Sequence, residues 1–299
     1  MTTTSPVILL LTLTALAVHA QQPDFQHLTG PYLGQTPPGT TPQVFAEGLI
    51  DPDLHGCPVF TPDGLEVYWK PMNNEHVLCS RTVDGHWTAP TPIEFPHRFD
   101  NSDAPILSVD GIRLYFVSTE PMNIADNIRE HVWFSDRNEN GWGTPTPAGN
   151  NINRMGVHWQ TSVAANGDLY FHSLNSGGGD IFSSSFIDDA WAVPEALGAT
   201  VNAATYEHAP FIAPDQSYLI FSRVDFSSED KGADLFISFR KPNGEWGLAR
   251  PMTELNKPGI NETAPNVTRD GKYLFFLSNT ANGLSAHWVS TAVIDRYRS

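Results

Sequence analysis

The sequence predicts an all-β fold, a five-bladed β-propeller of four-stranded blades closed by an N-terminal strand. Three observations predict it: a turn motif that returns five times, an apolar-aromatic run after each copy, and a composition rich in turn formers. Among 299 residues there are 23 Gly and 24 Pro, and only 17% are charged. That mixture suits many short strands joined by tight turns and does not suit a helical bundle.

The motif is the core of a hairpin. It reads Cys-Pro-Val-Phe-Thr-Pro-Asp-Gly at 57–64 and Ala-Pro-Ile-Leu-Ser-Val-Asp-Gly at 104–111. The later copies begin at Gln160, Ala209 and Ala264. With Asp63, Asp110, Asn166, Asp215 and Asp270 as anchors, the spacings are 47, 56, 49 and 55 residues. Pro stands five residues before four of the anchors, and Thr161 takes that place in the third copy. Each anchor precedes a run such as Val67-Tyr68-Trp69 or Leu114-Tyr115-Phe116. Asp-Gly supplies the positive φ that a tight hairpin turn needs, so strand, turn and strand follow. A third run ends on Ser in every copy (Ser80, Ser135, Ser183, Ser238, Ser290). A fourth element opens on Trp87, Trp142, Trp191 or Trp246, with Pro nearby, as an outermost strand tolerates.

Four strands per unit of this length is the sheet of a propeller blade. The units fall near 51–95, 96–149, 150–198, 199–255 and 256–295. The fifth lacks its Trp element. Gln43-Val44-Phe45-Ala46 lies before the first unit, where it can complete the last blade and leave no edge unpaired. The predicted organisation is therefore a signal at 1–20, a leader at 21–42 and the propeller at 43–299.

The run Glu-His-Ala-Pro-Phe-Ile-Ala-Pro-Asp at 207–215, then Asp-Leu-Phe-Ile-Ser at 234–238, then Gly-Glu-Trp-Gly at 244–247, resembles the WD40-like repeat of TolB-type β-propellers. The resemblance spans roughly residues 40–295 and implies the propeller fold and an exported protein. TolB-type propellers have six blades, whereas five units are found in this chain. Fold alone does not imply chemistry.

Val7 to Val18 is largely apolar and leads into Val18-His19-Ala20, a small-x-small cleavage pattern before Gln21. The expected localisation is therefore secreted or periplasmic, with no membrane insertion of the mature chain. The formal net charge is −16. Such a surface repels phosphate backbones, so nucleic acid is excluded as a partner. Cys57 and Cys79 fall on strands one and three of the first unit, about 10 Å apart across an intervening strand. A disulfide needs Cα atoms within about 7 Å, so the two are expected to be unbonded.

In a propeller the innermost strands line a central channel. Eight residues before the anchors stand His55, Ser102, His158, Glu207 and Glu262; seven before stand Gly56, Asp103, Trp159, His208 and Thr263. Symmetry brings this ring to one channel mouth. The predicted ligand-binding set is His55, Asp103, His158, Trp159, Glu207, His208 and Glu262. Repeated Glu at one register also suits a structural role, accepting backbone N–H groups at blade junctions. The histidines depart from the repeat, and departures mark function. No nucleophile elbow, phosphate loop or His-Glu-x-x-His motif is present. The expected function is binding of a small molecule, a glycan or an envelope protein at the channel mouth. A glycoside hydrolase or polysaccharide lyase using the His and carboxylate cluster is the alternative, and a structural module of the envelope is a third. No cofactor and no metal are assigned by these residues.

Overall fold

The computed structural model describes residues 24–298, other than 51, 98, 100, 123–129, 175–176, 204, 228–231 and 282. The predicted export signal lies outside the described residues. The described residues form five antiparallel sheets arranged as the blades of a propeller, with a separate two-stranded ribbon of Phe186–Ile187 and Ala190–Trp191.

Each blade begins with an innermost hairpin whose turn carries the anchor. The anchor side chain explains its own identity. Asp63 Oδ1 accepts from Leu65 N at 3.0 Å, Asp110 Oδ1 from Ile112 N at 3.2 Å and Asn166 Oδ1 from Asp168 N at 3.2 Å. This is the Asx-turn bond, which only a short side chain with a terminal oxygen makes. The following position has positive φ in all four Gly cases, and Gln216 adopts φ 58° in the fourth blade. At Gly111 a side chain is also excluded by packing. A Cβ there would lie 2.7 Å from Pro62 Cδ of the neighbouring turn.

The innermost strands carry a shared irregularity. Register shifts occur in Asp103–Leu107, Val157–Val163, Tyr206–Ile212 and Glu262–Val267. Ala104, Ala209 and Ala264, each before the motif Pro, have φ of 45°, 48° and 51°. The Ala-Pro pair is thus a β-bulge that bends the strand at the channel. In the third blade, where Thr161 replaces Pro, the left-handed residue is Trp159 instead, with φ 61°.

The Trp element proves to be two pieces. His86–Trp87 and Gly141–Trp142 fold back onto the distal end of the third strand. The outermost strand proper follows them, as Thr91–Pro92, Thr146–Pro147, Glu195–Ala196 and Arg250–Pro251. The third-strand Ser recurs for a reason: Ser80, Ser135 and Ser238 Oγ donate to Thr88 O, Gly143 O and Gly247 O, each at 2.7 Å. In the third blade Ser184 does this, to Ala192 O at 2.6 Å, one residue beyond the Ser183 of the motif.

Closure is made by Gln43–Val44, which pairs with Gly283–Ser290 in the register Gln43↔Trp288 and Val44↔His287. Phe45 N continues the ladder to Ala286 O at 2.8 Å. The leader is part of the body. Phe25, Tyr32 and Leu33 are buried with Phe45, Phe60, Phe275 and Trp288 in the seam between the fifth and first blades. Three further apolar clusters fill the remaining seams. Tyr68 pairs with both Val59 and Cys79, so a strand separates the two cysteines, and both are free thiols.

Candidate functional site

The inner strands run from one channel mouth to the turns at the other end, so His55, Asp103, Trp159 and His208 come from four blades to one mouth. Two layers result. The outer layer is reachable: the His55 and Asp103 side chains are 24% and 23% exposed, and Trp159 is half-buried. Beneath it lie His172, which is fully buried, and His208, at 4% exposure.

Trp159 links the layers. Its ring centroid lies 5.8 Å from His55, 5.7 Å from His208 and 6.2 Å from His172. The bulge allows this, because the left-handed backbone turns the indole toward the axis. His172 closes the inner layer, with its Nε2 3.3 Å from the Tyr206 hydroxyl and its ring 6.2 Å from His208.

In the outer layer His55 Nδ1 donates to Asp103 Oδ2 at 2.6 Å, while Asp103 Oδ1 accepts from Ala104 N at 2.6 Å. Lys70 Nζ stands 4.0 Å from Asp103 Oδ2 and donates to Pro71 O at 3.1 Å. With Nδ1–H committed to the carboxylate, His55 keeps Nε2 as an acceptor. A cavity of about 30 Å³ beside this pair is lined by His55, Asn101, Asp103, Ser118, Glu130 and Trp159. That is room for one water.

In the inner layer His208 Nε2 lies 3.1 Å from Thr263 Oγ1, which accepts from Ser222 Oγ at 3.1 Å. Which of the two groups donates follows the imidazole tautomer, and Nδ1 has no hydrogen-bond partner among the described residues. Burial pushes the His208 pKa down to about 4, so the ring is neutral at pH 7.

The two glutamates do not join this cluster. Glu207 is fully buried, and its Oε1 accepts from Ala203 N at 3.2 Å, Thr205 Oγ1 at 2.7 Å and Arg223 Nε at 2.7 Å. Glu262, also fully buried, accepts from Lys257 N and Ser278 Oγ, each at 3.2 Å. Each braces the loop that enters its own inner strand. Burial raises the Glu262 carboxyl above its usual range. Ser102 is structural too, its Oγ accepting from Val77 N at 2.9 Å. His158 lies on the strand Val157–Val163, but its side chain is outside the described residues.

His172 lies outside the set predicted from the sequence. A signal for it exists. Six residues after the anchor the other blades carry Trp69, Phe116, Phe221 and Phe276, and only the third carries His. Among the described residues no group of three or more His, Cys, Asp or Glu side chains is placed to hold a metal ion.

No protein-family model matches the chain, and no curated protein matches it. Many solved structures match the chain. A calcium-binding protein, regucalcin, from Agrobacterium tumefaciens is 12% identical with a TM-score of 0.48, over 85% of this chain and 95% of that one. An endo-arabinase from Bacteroides thetaiotaomicron is 16% identical with a TM-score of 0.47, over 88% and 95%. A gluconolactonase from Xanthomonas campestris is 12% identical with a TM-score of 0.46, over 75% and 67%. Likeness at this level says nothing about the site.

Proposed function

We propose that the mouth formed by His55, Asp103 and Trp159 binds a neutral polyhydroxylated ligand, a saccharide being the class that fits. The observation that carries this reading is Trp159. A bulky residue with φ 61° costs on the order of 1–3 kcal/mol, and such strain clusters at ligand clamps. Its half-exposed indole offers an apolar face, and His55 Nε2 and the Asp103 carboxylate offer acceptors for hydroxyls. Anions suit the mouth poorly, since Asp103 repels them and Lys70 beside it is engaged by Pro71 O.

Titration of the protein with a saccharide panel, followed by tryptophan fluorescence and calorimetry, tests this. At least one sugar should bind, and Trp159→Gly and His55→Ala should each weaken it at least tenfold. Trp159→Gly should destabilise by less than the about 3–5 kcal/mol usual for losing a buried Trp side chain, because glycine relieves the backbone strain. A panel without a binder, or variants that bind as well as the parent, would sink the idea.

The His55–Asp103 pair supports a second reading, hydrolysis or proton abstraction on a glycan. Asp103 orients His55, and Nε2 can take a proton from a water in the adjoining cavity. Turnover of chromogenic glycosides that His55→Gln abolishes would favour it; binding without turnover favours the first reading.

The resemblance of the Pro-Asp repeat to that of TolB-type propellers and the apolar run before Val18-His19-Ala20 support an exported protein. Mature protein recovered from the host's periplasm or medium should begin at Gln21. Recovery only of chains that begin at Met1 would contradict export.

A further inference from the structure

The other end of the channel carries an unpaired charge. There the five hairpin turns meet, and the residue before each anchor is Pro62, Val109, Ala165, Pro214 or Arg269. Four are small or apolar, and the fifth is an arginine. Neighbouring turns touch at this end: Gly111 abuts Pro62, and Ala165 N donates to Pro214 O at 2.9 Å.

Arg269 is 9% exposed, and its Nε and both terminal nitrogens are buried without a hydrogen-bond acceptor among the described residues. The ionisable group placed to interact with it is Tyr115 of the second blade, which does not adjoin the fifth. The carboxylate next to it in sequence is not available. Asp270 accepts from Thr268 Oγ1 at 2.7 Å and Lys272 N at 3.1 Å, and pairs with Lys272 Nζ at 2.8 Å. An arginine does not shed its proton in a protein, so burial leaves a full positive charge with five N–H groups to satisfy. Burying such a charge unpaired is costly, and an anion is the partner whose chemistry removes that cost.

We propose that Arg269 holds a small monovalent inorganic anion of chloride size at the turn end of the channel, where it braces the ring of five turns. The burial of all three guanidinium nitrogens limits the ligand to a compact ion. The site is independent of the saccharide mouth, because it lies at the opposite ends of the same strands.

The test is thermal melting at constant ionic strength, exchanging sodium gluconate for sodium chloride. An anion that binds only the folded state raises Tm saturably, by roughly 2–4 °C for a shift of the expected size. Arg269→Gln should lose this dependence and should melt above the parent in gluconate, since no uncompensated charge is buried. A parent without chloride dependence, or an Arg269→Gln protein that responds as the parent does, would overturn the proposal. If that variant fails to fold, parent crystals soaked in bromide decide the matter. An anomalous peak against the guanidinium supports the site, and a peak confined to the outer surface, an adventitious ion only, refutes it.

Discussion

Trp159 and His208 show how single positions in this propeller depart from their repeat. Position 159 takes over the left-handed bulge that Ala fills in three other blades, because Thr161 has displaced the Pro that fixes the bulge one residue later. His208 sits under that indole, buried and neutral. Its neutrality makes stability depend on pH. In the unfolded chain the imidazole takes a proton near pH 6.5, whereas in the folded protein it does so only near pH 4. Between those values the unfolded state binds more protons, so acidification from 6.5 to 4 removes stability, of order 3 kcal/mol from this one residue. His208→Gln should flatten that part of the pH profile. Melting curves of parent and variant from pH 7 to 4.5 check this, and parallel profiles would mean that His208 is not the titrating group.

At the scale of elements, repetition extends to bonds that no motif announced. Asn153, Asn202 and Asn256 each bridge both backbone groups of one third-strand residue: Val132, Ile181 and Leu235. The Oδ1 contacts are 2.8, 2.9 and 2.9 Å. In the first blade Ser102 Oγ fills this place with a single bond to Val77 N. These side chains come from the segment entering the next blade, so each ties one sheet to its neighbour. The leader and closing strand do the same for the last seam. Removing the chain up to Ala46 would expose the edge at His287–Trp288 and unpack Phe25, Tyr32, Leu33 and Phe45. Three or four large side chains at about 1.5–3 kcal/mol each make a loss of several kcal/mol. A Tm unchanged by the deletion would contradict the closure.

For the whole molecule, Gln43–Val44 covers the edge of the last blade, and much of the basic charge is already paired. Arg113, Arg137, Arg223, Arg296 and Arg298 each meet a carboxylate. With a net charge of −16, few cations remain for a polyanion. The protein should pass unretained through heparin–agarose in about 0.15 M salt, where screening extends only about 8 Å. Retention would reveal a basic surface that the charge pairs do not predict.

The fold was legible in the sequence because its determinants are local and repeated. An Asp-Gly turn, an alternating aromatic strand and a spacing of about fifty residues specify a hairpin blade, and five copies can close only as a ring. The position of the closing strand was legible for the same reason, as the one blade edge left unpaired. The mouth was legible in part, since register alone brings His55, Asp103, Trp159 and His208 to one end of the channel. Register could not say which way each side chain turns. That was decided by a backbone bulge at Trp159, by the loops that draw Glu207 and Glu262 away, and by a second strand that adds His172. Nor could a sequence show that Arg269 is buried without a hydrogen-bond partner among the described residues. Local pattern fixes hydrogen-bonded turns and strand faces, whereas burial and pairing depend on which blades meet across the axis, and only the closed ring settles that.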